Sequence, residues 1–422
     1  MLGMNILLIG GIAREHALAW KMRQSSLCKK LYIAPGNAGT AKLGENVDLD
    51  IKNNHAVVEF AKHHHIGLVV IATDDYLAQG MVDALSEANI KAFGPTKAAA
   101  KLEWSKAFAK DFMKRHGIPT ASSQTFTQLD RALLYSENHS LPLVIKADGL
   151  ALGKGVVIAE SHQEAEGTLR EFMSGDAFGA SGRTVVIEEF MEGKEVSVHA
   201  FSDGKTVKLF PTSRDHKRIG DGNTGPNTGG MGTIAPVPGL PDDFLETVRE
   251  TIVMPTIEGM MEEGNPFSGI LYPGLMLTAE GPKVVEFNAR FGDPECESYM
   301  RLLESDLISI MLACVNGTLA EEPVVWQDNA ATTVMLASGG YPGKYEKGFP
   351  ITGIESAEED PAVVVFHAGT AEKEGELITA GGRVLGVSAV GSTVKEARAA
   401  AYAAAAKIAF NGKQFRSDIG AS

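Results

Sequence analysis

The stretch VVEFNARFGDPE (residues 284–295) carries the residues best suited to chemistry. In an extended strand successive side chains alternate between faces, so Glu286, Asn288 and Arg290 share one face and Phe287 and Ala289 the other. Three polar side chains on one face of a strand that begins with two valines are costly to bury unpaired. That face either meets solvent or binds something charged. A carboxylate beside an amide oxygen is a hard pair suited to Mg²⁺, which takes one or two carboxylates and completes its shell with phosphate oxygens and water. Arg290 beside them suits a carboxylate or a transferring phosphoryl group. A merely solvated face fits poorly with the aliphatic start and the FGDPE turn.

Four further stretches carry charge or glycine in patterns worth weighing. Lys146-Ala147-Asp148-Gly149 followed by Gly153-Lys154-Gly155 puts a lysine at a strand end and a glycine loop after it. Such a loop brings backbone N–H groups close to phosphates, although the spacing is not that of a Walker A loop; an ordinary hairpin with a solvated lysine reads equally well. Glu188-Glu189-Phe190-Met191, with Glu195 beyond, ends an aliphatic run and reads either as a polar strand end or as a contact for a base and a ribose. Asp215-His216-Lys217-Arg218, running into the glycine-rich segment 220–232, reads as a second anion-binding surface. Gly10-Gly11 ahead of Arg14 is half of a dinucleotide fingerprint without its third glycine, so hydride chemistry is set aside. His63-His64-His65 points three ways from a helix and reads as a solvated helix end, not a metal site.

The elements that must position these groups follow from hydrophobic periodicity. NILLIGG, LYIAPGNAG and LVVIATDD are strands, alternating with helices through REHALAWKMRQ and HAVVEFAKHHH, so the first hundred or so residues form a parallel α/β sheet with ligand contacts at the strand C-termini. KAFGPTKAAAKLEWSKAFAKDFMKRHG leads into a long helix. A mixed α+β region follows, in which RDHKRIGDGNTGPNTGGMG is a long polar loop of the length usually reserved for function. The last hundred residues form a small β-rich unit capped by a helix through VKEARAAAYAAAAKIA.

Composition bounds the rest. The chain has 422 residues, 44% of them hydrophobic and 22% charged, with 46 glycines, which describes a soluble multidomain protein. A net charge of −14 argues against nucleic acid or an anionic membrane as partner. Three cysteines without a CxxC spacing indicate neither a disulfide framework nor a zinc-thiolate site. The opening MLGMNILLIGG reads as a first strand and not as a leader, so the expected compartment is the cytoplasm.

Taken together, REHALAW, APGNAGTA, FGPTKAAAKLEWSK, VIKADGLALGKGV, VIEEF, DHKRIGDGNTGPNTGGMG, EFNARFGDPE, SGGYPG, VFHAGT, GGRVLGV and FRSDIG resemble the glycinamide ribonucleotide synthetases, ATP-grasp enzymes of purine synthesis. The resemblance implies an N-terminal parallel α/β domain (1–105), an ATP-grasp domain (106–322) with a lid lobe near 122–192, and a small β-rich C-terminal domain (323–422). It implies ATP with Mg²⁺ or Mn²⁺, small-molecule partners only (ATP, glycine and 5-phosphoribosylamine), and a monomer. The implied chemistry is phosphorylation of the glycine carboxylate, then attack by the amine of phosphoribosylamine. The alternatives are an ATP-grasp ligase with another amine acceptor and a nucleotide-binding module without catalysis.

Residue by residue, the resemblance implies that Lys106 and Lys146 contact phosphates, with Gly153 and Lys154 in a phosphate lid. Glu188, Phe190 and Met191 would form the adenine hinge and Glu195 the ribose acceptor. Glu286 and Asn288 would be the metal ligands. Arg290 would steady the acyl phosphate, Asp293 would receive the glycine ammonium and Lys217 would act beside them. Asp215, Arg218, Asn227, Thr228, Gly229 and Gly230 would line the glycine and phosphoribosyl side, together with Gly10, Gly11, Arg14, Glu15, Asn37 and Asp74. Two departures fall on that side. Ile12 and Ala13 replace glycines of the family's run, and Ala72-Thr73-Asp74 replaces Gly-Pro-Glu. A reshaped first loop is the expectation, because isoleucine tolerates positive φ badly.

Overall fold

In the computed structural model the described residues are 3–149, 155–174 and 183–421. The first sheet is wholly parallel. Its strands lie in the order Glu45–Asn46, Cys28–Pro35, Met4–Gly10, Ile66–Ile71, Ala92–Phe93. Leu7 and Ile9 face one core and Ile6 and Leu8 another, as expected of a strand buried on both faces. Met4–Gly10 lies between strands that lead away in opposite directions, so the chain reversal opens a crevice at the C-terminal ends of these strands, beside Gly10-Gly11, Gly36 and Ala72.

A four-stranded antiparallel sheet follows, ordered Ser123–Phe126, Val185–Glu189, Leu143–Ala147, Val156–Ala159. Leu169 and Phe172 of the helix His162–Met173 and Ala132 of the helix Leu129–Glu137 close its core. Facing it, the long strand Ser268–Thr278 pairs with Gly281–Asn288, Lys194–Ser197 and Ala200–Asp203, all antiparallel. The strand carrying Glu286 and Asn288 therefore belongs to the second lobe. Lys146 of the first lobe reaches it, donating to Val285 O at 2.9 Å.

Three elements differ from their sequence reading. The long helix is two, Lys101–Trp104 and Lys106–Arg115, broken at Ser105 with φ −128°. Ser105 caps the second helix by accepting from Phe108 N–H, and its hydroxyl donates to Asp148, which also accepts from Ala107 N–H. The break makes Lys106 the first residue of the new helix. The long polar loop contains a hairpin, Arg218–Gly220 against Thr224–Asn227. The strands flanking that hairpin, Arg214–Asp215 and Gly232–Ala235, join a sheet with Ala330–Ala337, Arg383–Gly391 and Val363–His367. The β-rich C-terminal unit thus shares its sheet with chain from the centre of the sequence. The helix Glu295–Leu302, buried along its whole length, packs against that sheet.

Candidate active site

Glu286 sits where the two lobes face each other. Burial pushes its carboxyl up, but Lys217, Lys146, Lys106 and Arg290 together outweigh burial and hold it below its ordinary value, so it is ionised. The polar face proposed from strand alternation is real: Arg290 donates through Nη2 to Asn288 Oδ1 at 3.0 Å. Arg290 also pairs with the buried Glu103 at 3.1 Å and donates to Phe291 O. Its Nε is buried and has no partner, a donor left over for an anion. Glu103 accepts from Ala289 N–H, and burial raises its pKa to about 7 against the pull of Arg290.

Lys106 and Lys146 are each held by a partner in the protein. Lys106 donates to Gly149 O at 2.9 Å, and Gly149 has φ +112°, a conformation open to glycine. Lys146 pairs with Glu188 at 3.0 Å, and Lys110 takes the other carboxylate oxygen at 2.8 Å. Burial lowers Lys110 to about 8 despite that partner. Glu188 is 3% exposed. Its side chain is the counter-ion between two lysines, which leaves only its backbone for the expected hinge contact. Phe190 is 39% exposed and Met191 half-buried. Gly153 and Lys154 lie outside the described residues.

Lys217 bridges Glu195 at 3.4 Å and Glu286 at 3.9 Å, and Glu195 is the main cause of its raised pKa. Glu195 and Glu286 therefore share one ammonium. Thr228 closes back on this segment, donating its N–H and its hydroxyl to Lys217 O. Burial, followed by repulsion from Glu295, raises Asp215, whose Oδ1 has no partner and lies against Gly230. Beneath them runs a buried polar chain. Tyr272 donates to Glu295 at 2.6 Å, and burial keeps His199 neutral so that its Nε2 accepts from Gly292 N–H at 3.2 Å. Asp293 pairs with Arg383 of the C-terminal sheet at 2.8 Å. The guanidinium of Arg218 closes its own hairpin on Gly225 O, and Asn227 is exposed.

On the first crevice the side chains are spent differently. Arg14 is 5% exposed and donates to Glu15, Phe291 O and Thr73. Glu15 accepts from Ile12 N–H. The Asn37 amide accepts from Gly39 and Thr40 N–H and donates to Gly11, His367 and Ala368 carbonyls. Arg14, Glu15 and Asn37, assigned to substrate from sequence, thus fasten backbone. Ile12 has φ −110°, so the expected strain is absent; the positive φ falls on Gly10, at +129°. Gly11 admits no side chain, since a Cβ would stand 2.5 Å from Gly36 O. Asp74 opens a short helix and lies close enough to Glu103 and Arg290 to act electrostatically on both.

Sequence reasoning missed Glu103, Lys110 and Arg383. Lys106 and Lys110 stand four apart on one helix, a spacing that signals a shared face. Glu103 sits in the quoted KLEWSK string, but nothing local to it names Arg290 as its partner.

Could the donors hold a metal? Ionised Glu286 and the Asn288 amide oxygen are two hard oxygens, and among the described residues no group of three or more His, Cys, Asp or Glu forms a cage. Two oxygens fit a cation that arrives with nucleotide phosphates and do not fit a closed structural site.

Two facing lobes, lysines aimed into the cleft between them and an acid–amide pair on the closing strand define an ATP-grasp enzyme. Family models for the phosphoribosylglycinamide synthetase N domain, ATP-grasp (A) domain and C domain match residues 4–103, 104–296 and 331–422. The chain belongs to the phosphoribosylglycinamide synthetase family. It is 49% identical to the phosphoribosylamine–glycine ligase of Pasteurella multocida over 99% of this chain and 97% of that protein. The crystal structure of phosphoribosylamine–glycine ligase from Thermotoga maritima superposes with a TM-score of 0.87 at 37% identity, covering 98% of this chain and all of that one. The biotin carboxylase domain of Hydrogenobacter thermophilus 2-oxoglutarate carboxylase, solved with MgADP, shares the fold at TM-score 0.74 and 16% identity, covering 98% of this chain and 92% of that one.

Proposed function

We propose that the chain joins glycine to 5-phosphoribosylamine at the expense of ATP, giving glycinamide ribonucleotide, ADP and phosphate. The observation that carries this reading is the convergence of Lys106, Lys146, Lys217 and Arg290 on the Glu286 carboxylate, in a chain matched end to end by its family. A glycine carboxylate oxygen attacks the terminal phosphorus of ATP, the bond to ADP breaks, and a glycyl phosphate forms. The amine then attacks the acyl carbon, the C–O bond to phosphate breaks, and the amine nitrogen gives up a proton.

Lys106 and Lys146 face the anionic phosphates as fixed charges, the second kept in place by Glu188 and Lys110. Glu286 and Asn288 would hold Mg²⁺ or Mn²⁺, which when bound neutralises phosphate charge and polarises the transferring group. Arg290, gripped by Glu103, keeps a buried Nε for the charge that develops on the acyl phosphate. Asp293, through the oxygen that Arg383 leaves open, and the unpartnered Oδ1 of Asp215 are the acceptors that would face an ammonium, and Lys217 keeps Glu195 and Glu286 from repelling each other. No covalent nucleophile is required, because positioning and charge neutralisation carry the rate. No helix among the described residues is long and apolar enough to cross a membrane. We assign the enzyme to the cytoplasm as a monomer working on small anions.

Coupled ADP release with glycine, varying the amine, tests the reading. Turnover that requires phosphoribosylamine supports it. Turnover with a different amine and none with phosphoribosylamine reassigns the acceptor, and ATP binding without turnover under any amine overturns catalysis.

A further inference from the structure

The strings SGGYPG, GGRVLGV and FRSDIG take no part in the chemistry above, yet Arg416 and Asp418 reach the hairpin Arg218–Gly220 against Thr224–Asn227, and Tyr341 and Arg383 reach the Gly229–Gly230 turn just beyond it. Arg383 starts a strand of the C-terminal sheet, and its Nη1 donates to Gly229 O at 2.6 Å and to Gly230 O and Asp293 O at 3.3 Å each. The same nitrogen pairs with the Asp293 carboxylate at 2.8 Å. Tyr341 accepts from Gly229 N–H at 3.1 Å, so both backbone polar groups of Gly229, which belong to two successive peptides, are held by the C-terminal unit. At the far end of the hairpin Arg416 donates to Arg218 O and Asn223 Oδ1, while Asp418 accepts from Gly222 N–H.

The glycines explain how the grip closes. A Cβ on Gly229 would stand 3.1 Å from the Arg383 guanidinium carbon, and one on Gly382 would stand 2.3 Å from the Tyr341 ring. Gly230 has φ +106° and packs against Pro294 and Asp215. The guanidinium therefore joins the 229–230 turn to Asp293, with Asp215 against the same turn. All four contacts fall on Nη1, which the rigid guanidinium plane holds in place, whereas the ammonium of a lysine would sit on a flexible stem.

We propose that Arg383 is a positioning residue for the glycine and amine side of the reaction: by clamping the Gly229–Gly230 turn to Asp293, it lets the C-terminal unit complete the substrate site. This rests on the functional reading above for the identity of the substrates, but not for the clamp itself. Arg301 supplies a control. It also crosses to the C-terminal unit, donating to Ala362 O and lying over Trp20, away from the hairpin.

The test uses the full chain as R383A, R383K, Y341F and R301A, read by hydrogen exchange and by ADP release. Exchange at the Gly229–Met231 amides is expected to speed up tenfold or more in R383A, less in R383K and Y341F, and not at all in R301A. The KM for glycine or the amine is expected to rise about tenfold in R383K while the KM for ATP stays within twofold. Millimolar guanidinium should recover part of the loss in R383A. If exchange at the turn is unchanged in folded R383K and R383A, the clamp is wrong, whichever amine the enzyme uses. If R301A and R383A weaken ATP, glycine and amine alike, Arg383 only docks domains and the proposal falls. Should wild type reject phosphoribosylamine, the substrate reading fails, and the exchange result still decides the clamp.

Discussion

The Glu286 cleft and the crevice at Gly10–Gly11 were both assigned to substrates from sequence, and they use polar side chains in opposite ways. In the cleft, each charged group is held from behind by another: Lys146 by Glu188, Arg290 by Glu103, Lys217 by Glu195. The working ends converge on one carboxylate. In the crevice, Arg14, Glu15 and Asn37 turn inward and fix the backbone of three loops. The comparison teaches that a charged string marks a site without saying whether its side chains touch the ligand or shape the chain that does.

The largest effect should come from Glu286→Ala. Removing the ionised metal ligand is expected to lower kcat by about 10²–10³-fold, the range seen when one preorganised electrostatic group is lost. The melting temperature should move little, since the Glu286 side chain is 38% exposed, open at the cleft, and makes only one long ion pair, 3.9 Å to Lys217. Asn37→Ala should do the reverse. Two accepted and three donated hydrogen bonds vanish, and Gly39 and Thr40 N–H are left unsatisfied in a buried loop. A stability loss of about 2–4 kcal/mol by urea titration is expected, with kcat of the folded protein within a few-fold of wild type. An Asn37→Ala enzyme of normal stability with a raised KM for the amine would erase the distinction between the two regions.

That distinction also marks where sequence reasoning stopped. Aliphatic runs such as NILLIGG name a buried parallel strand by themselves, and strand alternation puts Asn288 and Arg290 on one face, where they meet in a hydrogen bond. Local pattern could not find the break at Ser105, because Asp148, which holds it, lies 43 residues away. Nor could it find the grip of Arg383 on a turn 154 residues earlier in the chain. Nor does the VIEEF string say which way Glu188 points, because a strand end has two sides, and the packing of the helix Lys106–Arg115 and the strand Leu143–Ala147 turns this carboxylate to Lys110 and Lys146.

Glu103 sharpens the comparison through pH. Its folded pKa of about 7 lies above the ordinary 4.5, so between those values the folded state keeps a proton that the unfolded chain releases. Stability should therefore fall as pH rises from about 5 to 7 and level off above, by at most about 3 kcal/mol for this one group. Glu103→Gln should remove that slope in urea titrations at several pH values, and lower kcat by releasing Arg290. If the slope survives unchanged in the variant, the carboxyl is not the buried, proton-holding partner of Arg290 described above.

The smallest effect concerns Ile12, where sequence and backbone disagreed most directly. The expectation of a strained loop assumed a positive φ at this position, and a glycine there would then relieve strain and stabilise the protein. With φ at −110° and ψ at −171°, Ile12 sits in ordinary extended backbone at the start of the helix Ala13–Met22. Glycine gains nothing there and adds freedom to the unfolded chain, so Ile12→Gly should lower stability by about 1 kcal/mol or less. Its isoleucine side chain is 39% exposed, so little packing is lost with it. A rise in melting temperature would mean that the first crevice is strained after all, and that Gly10 does not carry the whole of its turn.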